Sequence, residues 1–265
     1  MISMPPKPIS ARVFCIANQK GGVGKTTTAV NLAASLAIQR QKVLLIDLDP
    51  QGNATMGSGV DKRTVEHTVY EVLIGEQSIL TAKVRAEAAG YDVLPANREL
   101  SGAEIDLVRM EERELRLKRA IEEVSDQYHF ILIDCPPTLS LLTLNGLTAA
   151  HGVVIPMQCE YFALEGLSDL VNTIKRLYAN INPDLRIIGL LRVMFDPRVT
   201  LQQQVSAQLE EHFGDKVFRT VIPRNVRLAE APSHGVPGVL YDKSSRGAQA
   251  YLAFGKEMIK RVAKL

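Results

Sequence analysis

The chain has 265 residues, 46% of them hydrophobic, with 18 glycines, 13 prolines and three cysteines. That suffices for one large domain with a buried core, falls short of two comfortable ones, and contains no run near the ~18 uncharged apolar residues of a membrane span. The net charge of +2 excludes a uniformly basic chain, yet residues 186–265 hold 13 Lys plus Arg against 7 Asp plus Glu, so the last third is the basic part.

In chain order, the opening MISMPPKPIS carries prolines where a signal peptide would need an apolar run. Residues 1–11 are expected to form a disordered tail before a single domain over 12–265, in a cytoplasmic protein. Short apolar runs rich in β-branched residues predict strands over 13–17, 43–46, 91–94, 130–133, 153–156, 185–193 and 217–222. Helical patterns lie between them at 25–38, 112–125, 139–149, 165–178 and 201–212, with a last one near 245–263. This alternation predicts an α/β fold: a mostly parallel, twisted sheet of seven or eight strands with helices on both faces. The stretch 51–89 mixes turn residues with helical fragments and resists assignment. Cys15, Cys135 and Cys159 sit in or beside apolar runs and read as reduced core thiols. His67, His129, His151, His212 and His234 form no ligand-spaced set.

Between the first strand and first helix lies QKGGVGKTTT, residues 19–28. A strand, a glycine-rich turn and a helix N-terminus together present backbone N–H groups to phosphate oxygens, the arrangement of a P-loop NTPase. Gly21, Gly22 and Gly24 let the backbone approach, Lys25 reaches the β and γ phosphates, and the Thr26 hydroxyl is a ligand for Mg²⁺. Val23 and Thr27 complete the candidate cradle. The usual G-x-x-x-x-G-K-[ST] pattern would place glycine where Gln19 stands, so the match is to a variant, and its extra lysine, Lys20, is close enough to a phosphate to matter.

The second strand runs into DLDPQGN, residues 47–53. Alternation puts Asp47 and Asp49 on one side at a strand's carboxyl end, where ligands bind in parallel sheets and a carboxylate can orient water or a metal-bound water. Four apolar residues, 130–133, deliver Asp134 as a Walker B acid to hold Mg²⁺ through water.

The run KGGVGKTT resembles the deviant Walker A ATPases. With DLDPQGN, QCEYFALEG at 158–166, Asp196-Pro197-Arg198 and IPRNVRLAEAPSHG at 222–235, the chain resembles the ParA/Soj chromosome-partitioning ATPases from about residue 12 to 264. That resemblance implies an ATP- and Mg²⁺-dependent switch. Lys20 reaches the nucleotide of a partner subunit in a homodimer, Asp49 positions the attacking water, Asp47 lies close to the magnesium, and Pro223 and Asn225 border the adenine. It also implies non-specific binding of duplex DNA at the nucleoid, with Arg198, Arg224, Arg227, Lys243 and Arg246 as phosphate-backbone candidates, and a ParB-like centromere-binding protein that stimulates hydrolysis. Several such arginines would give salt-sensitive binding without base readout.

Two other classes use the same loop. A membrane-surface ATPase of the MinD kind would need an amphipathic C-terminal helix, and Tyr251, Phe254, Met258, Val262 and Leu265 do fall on one stripe. The same stripe fits a helix packed on the sheet, which is the expectation, with no membrane partner. A cluster-assembly enzyme would need converging thiolates, for which Cys135 beside Asp134 is the position to inspect, and a small-molecule ligase or kinase would need a substrate pocket that no residue set marks.

Overall fold

Near-continuous apolar strands demand cover on both faces, and that cover is what the chain builds. The computed structural model describes residues 11–161 and 163–264. Eight strands form one sheet: β1 (Arg12–Ile16), β2 (Val43–Asp47), β3 (Val84–Ala86), β4 (Tyr91–Leu94), β5 (Phe130–Asp134), β6 (Gly152–Met157), β7 (Arg186–Phe195) and β8 (Val217–Pro223). Their order is β3-β4-β2-β5-β1-β6-β7-β8, parallel throughout except for the antiparallel edge strand β3. The β3 edge lies in the stretch that resisted assignment; three residues are too few to carry a readable alternation.

Alternate residues of each strand feed two cores. On β1, Val13 and Cys15 join one cluster and Phe14 and Ile16 the other; on β2, Leu44 and Ile46 oppose Val43 and Leu45. The Phe14 face is covered by α1 (Lys25–Ile38) and the last helix, α12 (Arg246–Val262). Among the described residues ten further α-helices lie between these two. They are α2 (Asn53–Gly57), α3 (Val69–Ile74), α4 (Ile79–Ala82), α5 (Leu100–Val108), α6 (Arg116–Glu122), α7 (Leu141–Ala149), α8 (Ala163–Asn180), α9 (Thr200–Phe213), α10 (Val226–Glu230) and α11 (Gly238–Tyr241). The predicted 112–125 helix shrinks to α6, and α5 was not anticipated.

Ala11, counted with the tail, is 2% exposed and donates its N–H to Ser125 O at 2.8 Å. The remainder of the expected tail lies outside the described residues, as does Leu265. Tyr251, Phe254, Met258 and Val262 are all buried against the sheet, so that stripe of α12 is spent on the core. Among the described residues no helix is long and apolar enough to cross a membrane.

Candidate functional site

Register brings the predicted acids together. Asp47 and Asp134 end neighbouring strands as direct partners, Asp134 is also aligned with Ile16 of β1, and β1 leads into the glycine turn. The carboxyl ends of β2, β5 and β1 therefore converge on the N-terminus of α1.

That N-terminus is left open. Where α3, α10 and α12 are capped by the side chains of Thr68, Asn225 and Ser245, the N-cap of α1 is Gly24, φ +74°, and like several other helices here it has no side-chain cap. Its first N–H groups thus have no side-chain acceptor, as an anion site requires. Gly22 at φ +72° supplies the second left-handed residue that folds the loop. Lys25 is 7% exposed, and its Nζ donates to Lys20 O at 3.0 Å. Burial lowers its pKa, while the charges of Asp134, Cys135 and Asp49 act the other way.

Asp134 is fully buried and neither carboxylate oxygen has a well-formed hydrogen bond; the neighbouring Thr26 hydroxyl gives only partial relief. Burial, then the charge of Asp47, push its pKa well up. A buried carboxylate without partners, beside a hydroxyl and an ammonium, fits a divalent cation approached through water. Among the described residues no group of three or more His, Cys, Asp or Glu could hold a metal by itself, so such an ion would need ligand oxygens from elsewhere, such as a bound phosphate.

Asp47 is equally buried but differently used. It accepts from Thr55 N at 2.8 Å, Thr55 Oγ1 at 2.7 Å and Asp49 N at 3.2 Å. Burial raises its pKa to about 6 against the pull of these bonds. Asp47 thus holds the 48–55 turn, and the half-buried Asp49, which accepts from Gln51 N at 2.9 Å, is the more accessible acid. Thr55 was missed in the sequence; its only signal was standing in the first helical turn after DLDPQGN.

Lys20 turns away from its own loop. Its Nζ is paired with Glu160, both side chains 47% exposed, while its N–H donates to Asn18 Oδ1 at 3.0 Å. Glu160 belongs to the quoted QCEYFALEG string but was not singled out. Pro223 ends β8 opposite Phe195, and Asn225 accepts from Leu228 N at 3.3 Å, capping α10. Neither lines the roughly 440 Å³ cavity beside Thr26, Thr27, Asn31 and Met56, whose far wall is Leu228, Pro232, Ser233 and residues 236–238.

The basic candidates gather at the same end of the sheet, beyond β7 and β8. Arg198, side chain 87% exposed, pairs with Asp196 at 2.7 Å, and the charge of Arg246 also reaches Asp196. Arg227 pairs with Glu230 at 2.9 Å and Asp242 at 3.6 Å, the latter next to Lys243. Arg224, Lys243 and Arg246 are exposed. Part of the basic surplus is structural instead: Arg192 is 6% exposed and bonded to Ser206 and Phe218 O, and Arg261 stacks over Phe218. Cys15, Cys135 and Cys159 are buried and free.

A family model described as an AAA domain matches residues 11–187. The chain is 53% identical to the sporulation initiation inhibitor protein Soj of Bacillus subtilis, over 93% of this chain and 98% of that one. It is 50% identical to the chromosome partitioning protein ParA of Caulobacter vibrioides, over 94% of each. The chain belongs to the ParA/Soj family of chromosome-partitioning ATPases. Among solved structures it is similar to a Mycobacterium smegmatis protein described as cobyrinic acid a,c-diamide synthase with bound ADP and magnesium: 38% identity, 96% of each chain, TM-score 0.84.

Proposed function

We propose that the protein is a single-domain, Mg²⁺-dependent ATPase of chromosome or plasmid partitioning. Its ATP-bound form is a homodimer that binds duplex DNA non-specifically at the nucleoid, and a ParB-like centromere-binding protein stimulates hydrolysis and release. The observation that carries this reading is the uncapped, glycine-folded end of α1 facing the partnerless carboxylate of Asp134, in a chain half identical to Soj and ParA.

The open N–H groups of residues 21–27 and the Lys25 ammonium would receive the phosphates; Thr26 and, through water, Asp134 would hold the magnesium. When bound, that ion neutralises charge on the phosphate oxygens. Asp47 fixes the turn that presents Asp49, which orients the attacking water. Lys20, paired with Glu160 in the single chain, is free to exchange that half-exposed partner for a phosphate of the second subunit; an ion pair this exposed is worth ~0–1 kcal/mol. Pro223 and Asn225 border the base. Arg198, Arg224, Arg227, Lys243 and Arg246 face phosphates of DNA; Arg198 and Arg227, side chains 87% and 54% exposed, exchange their intramolecular carboxylates for those phosphates.

The test is binding to an arbitrary duplex with ATP, with ADP and without nucleotide across a salt series, with Asp49→Ala to hold the ATP state. Tight binding confined to ATP is expected, with a logarithmic salt slope of about 0.9 per neutralised phosphate. Absence of binding in every state, with ATP still bound, overturns the reading and turns attention to the small-molecule chemistry named for the Mycobacterium structure, with the cavity beside Thr26 as the place to look.

A further inference from the structure

Two residues outside the cradle touch it from β6 and β7. Gln158, just past β6, donates its Nε2 to Gly22 O at 3.2 Å and to Met194 Sδ at 3.0 Å. Met194, inside β7, has φ +51°. Left-handed backbone at an unbranched apolar residue is strained and persists only where surroundings enforce it. Here the side chain is used on the phosphate loop: a methyl placed on Gly24 would lie 3.8 Å from Met194 Cε and 3.8 Å from Val193 Cγ2. The β7–β8 register slips around this point, between Arg192 and Phe195, immediately before Asp196 and Arg198.

From these contacts we infer that Gln158 and Met194 form one positioning device that fixes the phosphate loop and ties its shape to the basic end of the sheet. The peptide group is planar and trans, so C=O and N–H of one peptide unit point in opposite directions. Anchoring Gly22 O on Gln158 therefore aims the Val23 N–H away from β6, and a nucleotide that draws on this N–H pulls on the same carboxamide. Gln158 transmits the pull to Met194 Sδ. Met194 sits two residues before Asp196, the partner of Arg198, and its strand neighbour Phe195 is in register with Pro223, which is followed by Arg224 and Asn225. Lys20–Glu160 and Asn18–Pro156 O, the latter at 2.8 Å, hold the loop to the β6 end at two further points, but neither reaches β7. The Gln158–Met194 contact joins the loop, β6 and β7.

The coupling to DNA rests on the function proposed above; the effect on the loop does not, and the two separate in the test. Nucleotide affinity of the full chain is measured with a fluorescent ATP analogue for Gln158→Ala, Gln158→Glu, Met194→Gly and the double variant Gln158→Ala/Met194→Gly. Losing one net hydrogen bond predicts a fall of about threefold to tenfold for Gln158→Ala, and a larger one for Gln158→Glu, which places an acceptor and a negative charge against Gly22 O. Met194→Gly accepts the positive φ without strain but removes the side chain that packs on the loop, so it binds nucleotide more weakly. The double variant falls no further than the worse single one, the signature of residues acting as a unit. The ratio of DNA affinity with ATP to that with ADP falls toward one in all four. Nucleotide affinity within twofold of native in Gln158→Ala and Gln158→Glu, or additive losses in the double variant, overturns the device. Reduced nucleotide affinity with an unchanged ATP-to-ADP ratio overturns the coupling to β7 and β8. A native chain that binds no DNA in any state sinks the functional proposal while leaving the nucleotide measurement to judge the loop.

Discussion

Asp134 and Asp92 sit at opposite ends of the same sheet, and they are handled in opposite ways. Asp134 closes β5 at the carboxyl end, wholly buried, without a well-formed hydrogen bond, its pKa pushed well up by burial and by Asp47. Asp92 lies near the start of β4. Burial pushes its pKa up as well, but hydrogen bonds from Tyr128 Oη at 2.6 Å, Arg85 at 2.9 Å and Lys83 at 3.0 Å outweigh it and hold the carboxyl below its ordinary range. Two histidines at the amino-terminal end are closed in the same way: His129 and His151 accept backbone N–H groups, from Lys42 and Val13, each at 3.0 Å. Polar groups that close on each other hold a fold together; polar groups left open inside one are held for something that is not part of the chain.

The largest break in this contrast comes from exchanging the two acids for their amides. Asp134→Asn removes a buried charge and costs no well-formed hydrogen bond, so the nucleotide-free protein gains about 1–2 kcal/mol in equilibrium unfolding. The native protein gains further stability with Mg-ATP, ~2.7 kcal/mol at one hundred times the dissociation constant, and the variant loses most of that gain. Unfolding curves with and without Mg-ATP check both signs. A variant less stable than native without nucleotide would show that the Asp134 charge is already compensated within the chain.

The next effect runs the other way. Asp92→Asn leaves Lys83 and Arg85 without their carboxylate and Tyr128 with a weaker acceptor, and the protein loses about 1–3 kcal/mol with or without nucleotide. ATP turnover per folded molecule stays at the native value, because Asp92 lies at the far end of the sheet from the cradle. Changed turnover in this variant would erase the division between the two ends.

The open end was also the more legible one. Residues 20–27, Asp49 and Asp134 declare themselves because a glycine turn and an acid at the end of an apolar strand are local patterns, readable without knowing what lies beside them. Helix α1 was placed at its observed bounds by the same means. Glu160, Gln158 and Met194 do their work through partners distant in sequence: Gln158 and Gly22 are 136 residues apart. No periodicity announces such a contact, and Met194 looks like any core methionine until its φ is known. The closed end was illegible for a related reason. Asp92, Lys83 and Tyr128 meet only after β3 has folded back antiparallel on β4, and a three-residue edge strand offers no pattern to read. Helix α5 was lost within a charged stretch where Leu100, Ala103 and Leu107 are its buried positions and Ile105 and Val108 point outward, 66% and 57% exposed, blurring the stripe.

The smallest effect, and the one that sets both ends against each other in a single curve, is the pH dependence of unfolding without nucleotide. Asp47, at about 6, and Asp134, also raised, bind protons more tightly folded than unfolded, so they weaken the fold at neutral pH. As the pH falls from about 7 toward 4, the unfolded carboxylate value, that cost is relieved and stability rises. Asp92 has the opposite sign: its contribution is complete above about 4 and disappears as the pH falls through its lowered folded value. Denaturant unfolding at pH 7, 5 and 3 should therefore give its highest midpoint at pH 5. Asp134→Asn flattens the step between 7 and 5 and leaves the loss below 4; Asp92→Asn keeps the first step and reduces the second. If both variants altered the same limb, the two ends of the sheet would be one electrostatic system, and the separation between a site held open and a frame held closed would fail.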